Sequence, residues 1–322
     1  MSNPSTDTTL YPVIEPYEHG FIGLDSSHQM YWEISGNRDG VPIVFLHGGP
    51  GAGSSGLHRR YFDPEFYKII IFDQRGSGRS KPFAEVKNNT TQYLVDDMEV
   101  LRKSLDIDKW FLFGGSWGSA LALAYGIKYP DKVLGFILRG VFLCRKFELD
   151  WFLHGMKTIF PDYWKRFVNF LPEDERANLL QSYYERLMDP NPDIHLEAAT
   201  SWVNYESSCS TLMGKIGGSS GNAAGALSLA RIEAHYFVNN MFVSDDYFFG
   251  QIDRVRHLPG IVVQGRYDMV CPSVTAFQLC SEWPKLDLKL VPDAGHSAIE
   301  PTIRSELIKA TNAYRKMLRK TL

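Results

Sequence analysis

Short apolar runs recur in two parts of this chain, and each ends at a glycine, an aspartate or a proline. They are rich in β-branched and aromatic residues and lack a polar face, which is typical of parallel strands covered on both sides. An earlier pair of segments, HGFIGL and HQMYWEIS, predicts an antiparallel hairpin. The predicted buried strands are residues 42–48, 68–74, 110–115, 133–140, 261–265 and 286–291.

Helical patterns lie between these strands. Residues 90–107 carry apolar positions at helical spacing, and residues 119–130 read as an Ala/Leu-rich helix that Pro130 stops. Strands that alternate with helices predict an α/β fold with a mostly parallel central sheet.

The strand pattern is interrupted once, between about residue 142 and about residue 250. The sequence there is aromatic and helical, and the strand pattern resumes at residue 261. We therefore predict a helical cap, residues 142–250, inserted into an α/β core made of residues 1–141 and 251–322. Within the cap, the Gly/Ser-rich stretch 217–225 predicts a mobile loop.

Composition narrows the class of protein. The 322 residues are 44% hydrophobic, and 34 basic against 37 acidic residues give a net charge of −3. This balance is typical of a globular protein and predicts neither a nucleic-acid nor a membrane partner. The polar, Pro-containing start does not resemble a secretory signal, and the four cysteines show no metal-binding spacing. We expect a cytoplasmic protein with reduced thiols, no metal and no cofactor.

The stretch WFLFGGSWGS joins a predicted strand directly to a predicted helix. It places Ser116 in a G-x-S-x-G pattern between Gly114 and Gly118, where small residues permit a sharp turn and leave the hydroxyl exposed. The alternative is an ordinary connection that happens to contain a serine. The position between strand and helix favours a nucleophile elbow with Ser116 as the nucleophile.

A nucleophilic serine needs a general base, and the base needs an acid that orients it. Asp268 follows the strand 261–265, and His296 follows the strand 286–291. Both should emerge at the strand C-terminal edge that also carries Ser116. We predict that His296 acts as general base and then general acid, while Asp268 fixes the tautomer of its imidazole.

Other residues compete for the acid and base roles. His47 lies in HGGPG, too early in the chain for the base, and Asp73 ends an earlier strand. Asp293 is close to His296 in sequence. We interpret His47 and Asp73 as residues that shape loops and Asp293 as part of a turn.

The glycine-rich stretch LHGGPGAGSS follows the first parallel strand and suits an oxyanion hole. We predict the N–H groups of Gly49 and Trp117 as the two donors, with Gly48 as the alternative to Gly49. A phosphate-binding loop is excluded by spacing, because no G-x-x-x-x-G-K-[S/T] pattern is present.

Two acidic residues of the cap lie on apolar stripes. Glu206 continues a stripe that contains Trp202, and Glu233 falls midway between Leu229 and Phe237 at helical spacing. One interpretation is a pair of solvated or arginine-paired glutamates. The other is a site for a cation, because buried carboxylates are costly unless a positive charge neutralises them. A substrate ammonium group would serve.

Six motifs together resemble one family, the proline iminopeptidases, over residues 11–318. They are HGGPG, FDQRGSGRS, GGSWGSALALAY, ARIEAHYF, GRYDMVCP and DAGHSA. The resemblance implies the α/β-hydrolase fold with an inserted cap, and release of N-terminal proline from peptides without a cofactor. It supports the same catalytic triad and the same oxyanion donors.

The resemblance also assigns roles inside the cap. It implies that Glu206 and Glu233 bind the α-amino group of the substrate and that Phe142, Phe152 and Phe237 hold the pyrrolidine ring. The sequence departs from the family pattern at two places. Tyr205 stands where a second tryptophan is expected, and Phe152 stands where a tyrosine is common. These changes bear on side-chain tolerance rather than on the chemistry.

Two other functions are compatible with this scaffold. A carboxylesterase or amidase would use the same triad but has no need of two acids in the cap. A non-catalytic receptor with a hydrolase fold would usually lack a member of the triad, and here all three are present.

Overall fold

A computed structural model describes residues 9–213 and 223–319. Within them, eight strands form one sheet, in the spatial order β1-β2-β4-β3-β5-β6-β7-β8. The β1–β2 and β2–β4 pairings are antiparallel, and the other pairings are parallel. The strands are β1 (Glu18–Gly23), β2 (Gln29–Gly36), β3 (Val41–Leu46), β4 (Tyr67–Phe72), β5 (Trp110–Ser116), β6 (Val133–Val141), β7 (Gly260–Gly265) and β8 (Leu286–Val291).

Helices cover both faces of this sheet, and five of them lie in the chain between β6 and β7. In chain order they are α1 (Thr91–Ser104), α2 (Trp117–Lys128), α3 (Lys146–Asp150), α4 (Pro161–Asn169), α5 (Leu179–Met188), α6 (Pro192–Cys209), α7 (Ala223–Val238), α8 (Ser273–Glu282) and α9 (Pro301–Arg319). Helices α1, α2 and α8 pack on one face, while α9 packs on the other together with a 3₁₀ turn at Gly56–Tyr61.

The sheet is buried on both sides because successive side chains of a strand point in opposite directions. In β3, Val44 and Leu46 belong to the core on the α1/α2 side, whereas Ile43 and Phe45 belong to the core on the α9 side. The apolar runs that form β3 to β7 are therefore buried central strands, as predicted. The prediction is wrong for residues 286–291, because β8 lies at the edge of the sheet and exposes Asp287 and Lys289.

The structure confirms the α/β-hydrolase class and the main elements, with small shifts at their ends. The hairpin forms as β1 and β2. The helix predicted at 119–130 begins earlier, at Trp117, because the elbow serine leads directly into it. Helices α3–α7 occupy the predicted insertion, whose exact boundaries remain a prediction. In the loop predicted at 217–225, residues 217–222 lie outside the described residues, and the rest begins α7.

The inserted helices contact loops at the C-terminal edge of the sheet. The Ser228 hydroxyl of α7 donates to the Gly51 carbonyl at 2.9 Å. Ser210, just after α6, accepts hydrogen bonds from the backbone N–H groups of His296 and Ser297 at 2.9 and 2.8 Å. The cap therefore closes over the edge where the predicted triad residues emerge. Across the described ranges, no helix is long and apolar enough to cross a membrane.

Candidate active site

Ser116 occupies a strained turn between β5 and α2. Its φ of 57° and ψ of −130° are unusual for a residue with a side chain. The flanking glycines are required by close contacts. A Cβ on Gly114 would lie 2.1 Å from the Gly118 carbonyl oxygen, and one on Gly118 would lie 2.2 Å from the Leu46 oxygen. The G-x-S-x-G pattern therefore forms the predicted elbow.

Asp268 and His296 meet beside this elbow. His296 Nδ1 lies 2.8 Å from Asp268 Oδ2. The other carboxylate oxygen of Asp268 accepts the N–H groups of Val270 and Cys271 at 3.1 and 2.8 Å. Since the carboxylate accepts, Nδ1 of His296 carries the proton and Nε2 is an acceptor. That is the tautomer a general base requires.

Gln264 supports this pair, and its role was not predicted from the sequence. Its side-chain nitrogen donates to Asp268 Oδ2 at 3.2 Å and to the Cys271 carbonyl at 3.0 Å, while its oxygen accepts the Val141 N–H at 3.0 Å. Gln264 is fully buried. The sequence IVVQG does contain an indication of this role, because the Gln264 amide interrupts an apolar strand just before the loop that carries Asp268.

Arg139 is the second residue that sequence reasoning missed. Its Nη1 lies 2.9 Å from His296 Nε2 and donates to the His296 carbonyl at 2.9 Å. In the described part of the chain, the partner of His296 Nε2 is thus Arg139 and not Ser116. Proton transfer from Ser116 requires this contact to be exchanged, and catalytic hydrogen bonds commonly tighten only when substrate binds.

A bulge in β6 makes room for this arrangement. Gly115 pairs with Arg139 and Ser116 pairs with Val141, so Gly140 is left over between them. Gly140 has a φ of +54°, and a Cβ there would lie 2.9 Å from the His296 ring and 3.0 Å from Asp268 Oδ2. Any side chain at this position would displace the acid–base pair.

The predicted oxyanion donors lie next to Ser116. Gly48 lies close to Ser116, since a Cβ on it would lie 3.4 Å from Ser116 Cβ. Gly49 has a φ of +106° and lines the same cavity as Ser116. Trp117 is the first residue of α2, so its N–H has no partner within the helix. Gly49 and Trp117 stay the predicted donors, with Gly48 as the alternative.

His47 and Asp73 act on loop shape. His47 Nε2 accepts the Gln74 N–H at 3.0 Å, the Gln74 amide donates to the His47 carbonyl at 2.9 Å, and Trp117 Nε1 donates to Gln74 Oε1 at 2.9 Å. Asp73 accepts from the Ser54 N–H at 2.8 Å and from the Arg79 side chain at 2.7 Å. These bonds tie the glycine-rich loop to the elbow. Asp293 is exposed.

The two cap glutamates lie close to each other. Glu206 lines a cavity of about 460 Å³ that Ser116, His296 and Arg139 also line. Glu233 is only 4% exposed, and its Oε2 accepts a 2.6 Å hydrogen bond from Trp202 Nε1. Burial raises the pKa of Glu206 to about 7, although the nearby Arg139 charge opposes this shift. Burial and the Glu206 charge raise the pKa of Glu233 well above its usual range.

The predicted ring-pocket residues are buried, and two of them are in contact. The rings of Phe152 and Phe237 meet edge to face with centroids 5.4 Å apart, and both contact Trp202. Phe142 is buried nearby in the same core. None of the three predicted phenylalanines is among the residues that line the 460 Å³ cavity. Their role in holding the pyrrolidine ring stays a prediction.

The departures from the family pattern also have a structural outcome. The Tyr205 hydroxyl donates to the Phe152 carbonyl at 2.9 Å, and its ring contacts Phe152 edge to face at 5.6 Å. Tyr205 therefore fixes the backbone that carries Phe152.

Comparison with known proteins identifies the class first. The family model for the α/β hydrolase fold matches residues 41–301, so the chain is an α/β hydrolase. An esterase from Exiguobacterium antarcticum has a similar structure, with a TM-score of 0.57 and 18% identity over 92% of this chain and 98% of the esterase. The proline iminopeptidase structure from Mycobacterium smegmatis has a TM-score of 0.59 and 18% identity, over 94% of this chain and 100% of that chain. These two likenesses show the fold.

Sequence relatives identify the branch. The proline iminopeptidase of Arabidopsis thaliana is 47% identical over 315 residues, which are 96% of this chain and 83% of that protein. The probable proline iminopeptidase of Leptolyngbya boryana is 46% identical, over 95% and 96% of the two chains. The proline iminopeptidase of Xylella fastidiosa strain Temecula1 is 44% identical, over 95% of this chain and 99% of that protein. The chain belongs to the proline iminopeptidase family.

Proposed function

We propose that this protein is a serine aminopeptidase that releases N-terminal proline from peptides through an acyl-enzyme intermediate. The observation that carries the proposal is the shared cavity of Ser116 and Glu206, with Glu233 buried close by. An enzyme that cleaves bonds within a chain has no use for two acids at this position. An aminopeptidase must recognise a positive charge one residue from the bond that it cleaves.

Acylation uses the arrangement at the sheet edge. Ser116 Oγ attacks the carbonyl carbon of the N-terminal proline, and His296 Nε2 takes the hydroxyl proton once it has exchanged its contact with Arg139. Asp268 stabilises the imidazolium that forms. The negative charge on the substrate oxygen is stabilised by the predicted N–H donors of Gly49 and Trp117.

The leaving group then departs, and water completes the cycle. His296 donates its proton to the nitrogen of the next residue, and the C–N bond breaks. A prolyl ester of Ser116 remains. Water attacks this ester with His296 again acting as base, which releases proline and restores the serine.

The cap supplies recognition in this scheme. The substrate ammonium pairs with Glu206 and Glu233, and the pyrrolidine ring packs among Phe142, Phe152 and Phe237. Because burial raises the pKa of both glutamates, an incoming cation is what ionises them fully. The cytoplasmic location remains part of the proposal as predicted from the sequence.

The experiment compares proline 4-nitroanilide with its N-acetylated form, using Ser116→Ala as the blank. We expect turnover of the free-amine substrate, and roughly hundredfold or greater loss of kcat/KM on acetylation, because acetylation removes the cation and leaves two buried acids unpaired. Equal turnover of both compounds would reject the glutamate clamp and favour an esterase or amidase. If Ser116 failed to react with a serine-directed phosphonate, that result would favour a non-catalytic receptor.

A further inference from the structure

The cavity that contains Ser116 extends beyond the catalytic centre along the core. This extension, which we call the core shelf, takes none of its residues from the cap helices. Its lining comes from the end of β3, the 3₁₀ turn at Gly56–Tyr61, β5 and the segment just after His296. The core shelf consists of Phe45, His58, Tyr61, Phe113, Ala298 and Ile299.

The core shelf lies where the leaving group of the proposed reaction must go. The two substituents of the scissile carbonyl point away from each other, and the glutamates hold the proline on the cap side. The leaving nitrogen must also reach His296, which gives it a proton. Ala298 and Ile299 follow His296 by two and three residues and line the same cavity. The residue after proline is therefore expected beside them.

The chemistry of the core shelf is apolar and uncharged. The His58 ring stacks on Phe45 with centroids 4.2 Å apart and an angle of 16° between the planes. The Ser55 N–H donates to His58 Nδ1 at 3.0 Å, and burial lowers the pKa of His58 to about 4, so its ring is neutral near pH 7. The Tyr61 hydroxyl donates to the Ala298 carbonyl at 3.0 Å, so this polar group already has a partner within the protein.

Ile299 gives the core shelf an open end. It is 61% exposed, although it lines the cavity. An apolar side chain left in water at the mouth of a pocket gains hydrophobic contact when a ligand covers it. The charged residues that line the cavity, Arg139 and Glu206, are not members of the core shelf, although the Arg139 charge reaches His58 and Tyr61.

We propose that the core shelf binds the side chain of the residue that follows the N-terminal proline, and that it selects apolar and especially aromatic residues there. This inference rests on the proposed function. It adds a second specificity site, built by the core, to the proline site that the family resemblance places in the cap.

The first test is a series of dipeptide amides, Pro-Xaa-NH₂, with Phe, Leu, Gly, Glu and Lys as the second residue. All of them give the same prolyl-enzyme, so differences in kcat/KM report on the second residue. We expect Pro-Phe-NH₂ to exceed Pro-Gly-NH₂ roughly tenfold to hundredfold, and the Glu and Lys compounds to fall below Pro-Leu-NH₂. Release of proline at equal kcat/KM from all five would overturn the core shelf and leave the aminopeptidase intact. If none of the five compounds released proline, the proposed aminopeptidase activity itself would be rejected.

Substitutions then place the preference on named residues. Ile299→Ser should reduce the Pro-Phe-NH₂ to Pro-Gly-NH₂ ratio at least threefold, because it removes apolar surface from an exposed position that does not support folding. Ile159→Ser is the matched control, since Ile159 is also exposed but lies outside the cavity. His58→Phe should retain the ratio and His58→Ser should reduce it. An unchanged ratio in both Ile299→Ser and His58→Ser would reject the assignment.

A second measurement examines the acyl-enzyme directly. An amine that occupies the core shelf can attack the prolyl ester of Ser116 in place of water, which forms a new amide bond and frees the serine hydroxyl. With proline 4-nitroanilide as donor, phenylalaninamide should therefore give more transfer product than glycinamide at equal concentration. Ile299→Ser should reduce this difference. Equal transfer to both amines in the unmodified enzyme would overturn the proposal.

Discussion

The sheet edge and the helical cap hold their carboxylates in opposite ways. Asp268 accepts two backbone N–H groups, one amide of Gln264 and the ring proton of His296. Glu233 accepts one hydrogen bond, from Trp202, and within the described residues no hydrogen bond reaches the Glu206 carboxylate. The Asp268 carboxylate is surrounded by hydrogen-bond donors of the fold. The acids of the cap are not.

Under the proposed function, the two regions have different tasks. A catalytic triad must be assembled before substrate arrives, which agrees with the backbone N–H groups that hold the proposed acid, Asp268. A recognition site gains selectivity when only the correct ligand completes it. Two buried acids whose pKa values are raised favour a ligand that brings a positive charge.

The largest expected effect comes from removing the charge at the sheet edge. Asp268→Asn keeps an oxygen for the N–H groups of Val270 and Cys271 but presents an NH₂ group to His296 Nδ1. The imidazole then carries its proton on Nε2 and cannot act as base. We expect kcat for proline 4-nitroanilide to fall about 10⁴-fold.

The control for this variant is Asp293→Asn. Asp293 precedes His296 by three residues, is exposed, and is the rival acid in the sequence. It should retain full activity. A large loss in Asp293→Asn together with an active Asp268→Asn would reverse the assignment of the acid.

At the sheet edge, local rules were enough to predict which residues lie together. Ser116, Asp268 and His296 each follow a strand that is recognisable from its apolar run, and parallel strands bring their C-terminal ends to one edge. Arg139 and Gln264 were missed because each is a single polar residue inside a strand. Only the three-dimensional pairing shows that both reach the acid–base pair.

In the cap, periodicity alone left two interpretations open. It placed Glu206 on the Trp202 stripe, but it could not show that Trp202 bonds to Glu233, a residue 31 positions away. Contacts between helices depend on how the helices pack, and no local pattern reports that. The resemblance to a family gave the roles of these glutamates, whereas the residues themselves gave only their spacing.

A smaller effect is expected from the cap glutamates, and on a different parameter. Glu206→Gln and Glu233→Gln should each lower kcat/KM for proline 4-nitroanilide roughly tenfold to hundredfold, mainly through KM, because a charge-assisted contact to the ammonium is lost. Hydrolysis of 4-nitrophenyl acetate, which has no amine, should change little. Glu197→Gln is the matched control, since Glu197 is exposed on the same helix α6.

Comparing the two substrates distinguishes a catalytic role of the glutamates from a role in recognition. If both glutamine variants lost acetate ester hydrolysis as strongly as proline release, the glutamates would belong to the catalytic machinery rather than to recognition. If neither variant changed KM for the proline substrate, the cap would have no role in binding the amine.

The smallest expected effect concerns stability, and it follows from the same pKa values. The pKa of Glu206 is about 7 in the folded protein and 4.5 for an ordinary glutamate, so the folded state binds this proton more tightly. The stability that the folded protein gains by binding this proton is fully present below pH 4.5 and is lost as pH rises through about 7. Glu206→Gln removes this dependence. The variant should therefore gain stability over the unmodified protein between pH 5 and pH 8, by about 1–3 kcal/mol.

Urea unfolding at pH 5 and pH 8 measures this difference, with Glu197→Gln as the control that should follow the unmodified protein. A carboxyl group that becomes destabilising when it ionises in the empty site is stabilised by a substrate cation, so ligand and glutamine should act on the same energetic cost. Parallel stability curves for Glu206→Gln and the unmodified protein would mean that Glu206 ionises freely in the folded state. The contrast between a supported charge at the sheet edge and an unsupported one in the cap would then be wrong.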